Sequence, residues 1–229
     1  MKKIVPGFYF IAVAVVRAII LIVGRVEVVG RENIPVQGSL IVVANHMNNA
    51  DPPVIAAVLP RRLSFMAKQQ IFQWPILGGL FRLGGVFPVK RSAADLGAMR
   101  KAMADLRSGQ IIAIFPEGGR SKDARMHKAH PGAALLALRS EVPILPVAIT
   151  GTEGIHIRRL PLDLIRMRRP RVLVTIGHPF FLPPVARVTA EEVEHSTDII
   201  MGRIASLLPP SYRGEYAEMA AAYEAERAR

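Results

Sequence analysis

Leu40-Ile41-Val42-Val43-Ala44 runs without a break into Asn45-His46-Met47-Asn48-Asn49-Ala50-Asp51-Pro52-Pro53. Five consecutive apolar residues bounded by polar ones suit a strand buried on both faces, as in a sheet covered by helices. The polar stretch marks that strand's carboxyl end. Pro52 disfavours helical geometry at Asp51 and suits the first helical position itself. Residues 46–51 are therefore expected as a loop, with Asp51 capping the helix that follows. On a continuous helix, residues five apart point away from each other; a loop lets the Asp51 carboxylate turn back to the His46 imidazole. A His held by an Asp in one tautomer is a general base, although the same pair also occurs as a purely structural hydrogen bond. The chain has no Gly-x-Ser-x-Gly elbow, so a basic His46 would take its proton from a substrate hydroxyl rather than an enzyme serine.

Working outward, short β-rich runs at 26–29, 40–44, 63–66, 86–89, 111–115, 144–150 and 172–176 alternate with helical stretches at 53–59, 93–107, 133–139 and 191–207. This alternation predicts an α/β fold, a mostly parallel mixed sheet of about seven strands with helices on both faces. The tail from Tyr212, rich in Ala, Glu and Arg, reads as an exposed terminal helix.

Three more blocks stand out. Gly84-Gly85-Val86-Phe87-Pro88-Val89-Lys90-Arg91 sends two cations out of a strand together; they either clamp a phosphate or are solvated at a strand exit. Phe115-Pro116-Glu117-Gly118-Gly119-Arg120-Ser121 leaves the carboxyl end of a strand, where α/β sheets place ligand sites. Gly118 and Gly119 let backbone N–H groups approach an anion, and Arg120 can fork onto a phosphate. A tight turn with a solvated arginine fits the same letters. Val142-Pro143-Ile144-Leu145-Pro146-Val147 is a buried strand entered by proline.

Composition narrows the partners. The 229 residues, 51% hydrophobic and 21% charged, exclude a disordered chain and suffice for one domain with a sizeable core. Lys plus Arg outnumber Asp plus Glu by 30 to 18, which favours nucleic acid, anionic lipid headgroups or phosphorylated small molecules. Arg158, Arg159, Arg166, Arg168, Arg169 and Arg171 stand against a single acid, Asp163. Aliphatic residues interleave them instead of the aromatics that stack on bases. The expectation therefore moves from nucleic acid to an anionic membrane surface. The chain has no cysteine, which excludes disulfides, thiolate zinc sites and a cysteine nucleophile. His127 and His130 have no third ligand at a recognised spacing, so they are read as surface histidines and no metal is expected.

Residues 4–24 are almost wholly apolar behind Lys2 and Lys3, and a spanning helix needs roughly 20 such residues. Arg17 interrupts the run, and a charge deep in a bilayer is costly. Gly24-Arg25-Val26 makes a poor cleavage site. The segment is expected to attach the protein to a membrane uncleaved, either as a span with Arg17 snorkelling or as a helix lying in one leaflet.

Taken in order, the four blocks resemble the four motifs of the glycerolipid acyltransferase family: Asn-His-x4-Asp at Asn45–Asp51, the Gly…Lys-Arg strand end, Phe-Pro-Glu-Gly-x-Arg-Ser from Phe115, and Val-Pro-x-x-Pro-Val from Val142. The resemblance runs from Val26 to Ile149, and weakly to Tyr212-Arg213-Gly214; it looks nearest to the bacterial 1-acyl-glycerol-3-phosphate acyltransferases. It implies an O-acyltransferase that moves a fatty acyl group from acyl-CoA or acyl carrier protein to the free hydroxyl of this lysophospholipid. The product would be phosphatidic acid for phospholipid biosynthesis, and no cofactor is implied beyond the donor. The resemblance implies that His46 deprotonates the acceptor hydroxyl, that Asp51 orients His46, and that Lys90, Arg91 and Arg120 bind the acceptor phosphate. Glu117 and Gly118 would shape the acceptor pocket. Lys68, in Ala67-Lys68-Gln69-Gln70-Ile71-Phe72, would steady the developing oxyanion. The family usually has Thr where this chain has Gly119, which loses a hydroxyl donor, frees the loop and leaves the acceptor open.

The expected organisation is a membrane-attachment helix over 1–24, an acyltransferase domain over 25–211 and a helical tail over 212–229. The catalytic domain is expected on the cytoplasmic side of the cell membrane, peripheral or monotopic. Three other readings stand beside this one: transfer to another lysolipid or to glycerol 3-phosphate, thioester hydrolysis by water activated at His46, and non-catalytic binding of anionic lipid through the arginine cluster.

Overall fold

The computed structural model describes residues 13–15, 17, 18, 20, 22, 24–69, 73, 86–89, 96–155 and 169–227. Within them, β1 (Arg25–Val29), β2 (Leu40–Ala44), β3 (Leu63–Lys68), β4 (Val86–Val89), β5 (Ile111–Ile114), β6 (Ile144–Thr150) and β7 (Arg171–Ile176) form one sheet in the order β1-β7-β6-β2-β5-β3-β4. Every neighbouring pair is parallel except β6 with β7. Strand β3 runs past the expected 66 because Ala67 and Lys68 pair in register with Pro88 and Val89 of β4.

Alternate residues of the central strands feed two cores. Leu40, Val42 and Ala44 of β2 join Val54, Ile55 and Val58 of α1 (Asp51–Val58) on one face. Ile41 and Val43 point the other way, into a cluster with α2 (Leu96–Arg107), α3 (Gly132–Ser140) and α4 (Ala190–Ala205). With both faces covered, all five β2 residues are fully buried, which is why the strand reads as an unbroken apolar run.

The order matters for the site. Parallel β2 and β5 are neighbours, so their carboxyl ends lie on one edge of the sheet. The chain leaves β2 for α1 on one face and leaves β5 for α3 on the other. Strand connections that diverge in this way open a crevice at the strand ends, where α/β sheets bind ligands.

One expectation is corrected. Asp51 is the first residue of α1, not its cap: Ala50 holds the cap position without a side-chain bond. Pro52 is tolerated because the N–H groups of a first turn have no intrahelical partner to lose. The tail forms a terminal helix as expected, and most of its residues are exposed. Short helical turns at Pro210–Tyr212 and Gly214–Tyr216 lead into α5 (Ala217–Arg227), whose Ala220 is fully buried beside α4, with Tyr216 also buried. Met219 lies against Gly202, where even a Cβ would come within 3.3 Å. The missing side chain at position 202 is what lets the two helices approach.

Most of the apolar segment 4–24 lies outside the described residues. Those described between Val13 and Ile22 are helical, Ile20 rests on the core, and Val15 and Ile22 are exposed. Among the described residues, no helix is long and apolar enough to cross a membrane. Lys90, Arg91 and positions 158–168 of the arginine cluster also lie outside the described residues. At its end, Arg169 donates to the Gly24 carbonyl and Arg171 pairs with Glu27 across β1 and β7.

Candidate active site

The end of β2 is fastened before the loop begins. The buried Asn45 side chain donates to the Ile149 carbonyl and accepts the Ile149 N–H, both at 2.8 Å. This amide imitates a backbone pairing and ties the β2–loop junction to β6. The loop then folds around Asp51, whose side chain is wholly buried. Its Oδ2 accepts from the Met47 N–H at 2.6 Å and the Asn48 N–H at 2.7 Å, and lies 2.8 Å from His46 Nδ1. The Thr152 hydroxyl donates to Oδ1 at 2.5 Å. A buried carboxylate is sustained when it is saturated with donors in this way.

The imidazole is fixed on a second side. It stacks on Phe115 with centroids 4.3 Å apart and planes 26° from parallel. With Nδ1 turned to Asp51, Nε2 is the nitrogen left for a substrate, and among the described residues it has no hydrogen-bond partner. Asp51 accepts from backbone N–H groups and stays an acceptor, so the Nδ1 proton faces it and Nε2 carries the lone pair. That is the arrangement a general base needs.

Glu117, from the turn after β5, builds the opposite wall. Its Oε1 accepts the His46 N–H at 2.9 Å and its Oε2 the His127 N–H at 3.0 Å. Burial pushes its carboxyl above the usual carboxylate range, against the opposing pull of those two amides. Gly118 adopts φ +64, and a Cβ there would strike the His130 ring at 2.5 Å. Its N–H donates to the Phe115 carbonyl at 3.0 Å, so this amide is spent within the turn.

Beside the turn, a cavity of about 450 Å³ is lined by Glu117, Gly119, Arg120, Lys122, Asp123 and His127. Arg120 is exposed there. His127 is an exposed histidine paired with Asp123 at 2.9 Å, and a hydrogen bond from Ser121 is the main cause holding the Asp123 carboxyl down to about 2. No cluster of three potential metal ligands occurs among the described residues.

The sequence profile of the family described as Acyltransferase matches residues 25–150, the span that carries β1 to β6 and both walls of this site. The chain belongs to that family. A 1-acyl-sn-glycerol-3-phosphate acyltransferase from Streptococcus pneumoniae is 31% identical over 202 residues, covering 84% of this chain and 71% of that protein. A chloroplast 1-acyl-sn-glycerol-3-phosphate acyltransferase from Brassica napus is 30% identical over 134 residues, 57% of this chain; the chain spans 39% of that plant protein's length. Among solved structures, the 1-acyl-sn-glycerophosphate acyltransferase PlsC from Thermotoga maritima shares the fold. The TM-score is 0.65 at 24% identity, over 90% of this chain and 83% of that one.

Within this member of the family the structure brings together His46, Asp51, Glu117 and Gly118. It puts Arg120 at the neighbouring cavity and Lys68 at the carboxyl end of β3. Lys90 and Arg91 fall outside the described residues. Sequence reasoning missed Thr152, the Asn45 latch and the Phe115 ring. Asn45 and Phe115 stood inside quoted motifs with no role attached; Thr152 follows Gly151 at the end of β6, and its only signal was that position at a strand's carboxyl end.

Proposed function

We propose that this protein transfers a fatty acyl group from acyl-CoA or acyl carrier protein to the free hydroxyl of 1-acyl-glycerol-3-phosphate, giving phosphatidic acid. The observation that carries this reading is the saturated Asp51 carboxylate behind His46, which leaves Nε2 free at the strand-end crevice.

In the proposed reaction, His46 Nε2 takes the proton of the acceptor hydroxyl as its oxygen attacks the thioester carbonyl. Asp51 holds the Nδ1 proton and stabilises the imidazolium that forms. The tetrahedral oxyanion is steadied by Lys68. Its collapse breaks the C–S bond, and the departing thiolate takes the proton back from His46. No acyl-enzyme forms. Arg120, with Lys90 and Arg91, binds the acceptor phosphate. Glu117 acts from behind, holding the His46 backbone, and the Gly118 turn shapes the pocket. The relatives' names support the lysophospholipid acceptor. Residues 1–24 attach the protein to the cell membrane, and the catalytic domain faces the cytoplasm.

The test is thiol release from palmitoyl-CoA by the purified protein in detergent, with and without lysophosphatidic acid, beside His46→Ala. Acceptor-dependent release that is lost in the variant is the expected result. Release without acceptor means hydrolysis. Activity only with other acceptors, tried because Gly119 replaces a threonine, reassigns the substrate. Silence with both donors and all acceptors leaves an anionic-lipid-binding protein.

A further inference from the structure

Residues 212–216 take no part in the chemistry proposed above, yet they touch both walls of the site. On one side they grip the strip 126–129. The Tyr212 carbonyl accepts the Met126 N–H at 2.9 Å, Glu215 accepts the Lys128 N–H at 3.1 Å, and the Tyr216 hydroxyl accepts the Ala129 N–H at 2.9 Å. Gly214, at φ +51, packs so tightly that a Cβ would lie 2.0 Å from the Met126 carbonyl oxygen. This strip presents the His127 N–H to Glu117, and Glu117 in turn holds the His46 N–H.

On the other side, the Tyr212 hydroxyl donates to Glu153 Oε1 at 2.5 Å. Glu153 belongs to the turn Thr152–Gly154, whose first residue donates to Asp51. Among the described residues, Glu153 Oε2 is buried without a partner. Among the described residues, the Tyr212 hydroxyl is the one group donating to this carboxylate. Burial, followed by the adjacent Glu153, pushes the Tyr212 phenol up to about 12, so it remains a donor at neutral pH. The strap is anchored from behind by Arg213, which donates to the Leu208 carbonyl and to Glu224 of α5.

We propose that Tyr212 is a positioning residue. Its carbonyl and its hydroxyl fix the Glu117 loop and the Thr152 turn relative to each other, and through them the His46 backbone and the Asp51 carboxylate. The catalytic consequence rests on the reading of His46 as the base; the mechanical link does not.

The test uses the full chain with Tyr212→Phe, which removes one oxygen. Hydrogen–deuterium exchange is followed by mass spectrometry over residues 44–52 and 115–130, together with kcat, KM and the melting temperature. The expected result is faster exchange in both peptides with β6 and β7 unchanged. The kcat for acyl transfer should fall by about tenfold, the scale of a small misplacement of reacting groups, while KM stays within about twofold of wild type. Unchanged exchange at 44–52 overturns the proposal. So does faster exchange with an unchanged kcat, or a general rise in exchange that follows a lowered melting temperature. If the wild type transfers no acyl group to any acceptor, the catalytic reading fails while the exchange result still judges the link.

Discussion

Asp51 carries four donors on two oxygens inside a wholly buried environment, and the donors divide unevenly. Oδ2 receives the loop's own amides and faces His46; Oδ1 depends on Thr152. The pair is built to hold one imidazole tautomer, so its members act as a unit. His46→Ala and Asp51→Asn are each expected to lower turnover by about 10²–10⁴-fold. The double variant should be little worse than the weaker single one, because residues acting together are strongly non-additive; initial rates of thiol release check this. Thr152→Val keeps the shape but strands Oδ1, at a cost of about 1–3 kcal/mol. Urea unfolding should register the loss, and Thr152→Ser should recover both stability and turnover. Thr152 was not legible from the sequence for a physical reason: its partner is 101 residues away, and no local spacing encodes that contact. The His46–Asp51 contact was legible because the short loop 46–51, closed by Pro52, has few ways to run.

At the scale of elements, the joints between strand ends and their turns decide whether the site forms. Gly151 links β6 to the turn carrying Thr152 at φ +85, and a Cβ there would sit 1.9 Å from the Arg171 carbonyl oxygen of β7. Gly151→Ala combines left-handed strain of about 1–3 kcal/mol with a clash against backbone, which has no rotamer to escape into. The melting temperature should fall by about 2–4 °C for each kcal/mol lost, and turnover should fall with it. Gly119 is the contrast. It has open space around its Cβ position and no left-handed φ, so Gly119→Thr should change stability by no more than about 0.5 kcal/mol. Any shift in acceptor preference then reports a contact rather than a fold defect, and an acceptor panel reads it. Strand β2 lies where its hydrophobic run begins and ends, because burial on both faces leaves no polar residue to blur the limits. The antiparallel seating of β7 beside β6 was invisible for the opposite reason. Strand direction is set by a connection, and nothing in the 171–176 run records how the chain arrived.

At the scale of the molecule, the charge balance of 30 basic to 18 acidic residues must be reconciled with the proposed lysophospholipid acceptor. Arg171 is already paired with Glu27, and Arg169 bonds to a backbone carbonyl. The proposal of a membrane contact therefore falls on the cluster's other members, Arg158, Arg159, Arg166 and Arg168, which lie outside the described residues. A basic residue near an anionic surface contributes about 1 kcal/mol, and the field fades over a Debye length of about 8 Å at physiological salt. In the proposed attachment the apolar segment 4–24 would supply a second, salt-insensitive signal, and stable attachment generally takes two. The two contributions should separate in vesicle flotation of the full chain. Binding to phosphatidylserine vesicles should exceed binding to neutral ones at low salt and converge on it at about 1 M, where screening is short-ranged. Replacing the four arginines by Gln should bring binding to the neutral-vesicle level at every salt concentration while turnover in detergent is kept. Equal binding to both vesicle types at low salt would make the cluster a solvated face and leave attachment to the N-terminal segment alone. Loss of turnover in detergent would instead place the cluster at the substrate rather than at the membrane.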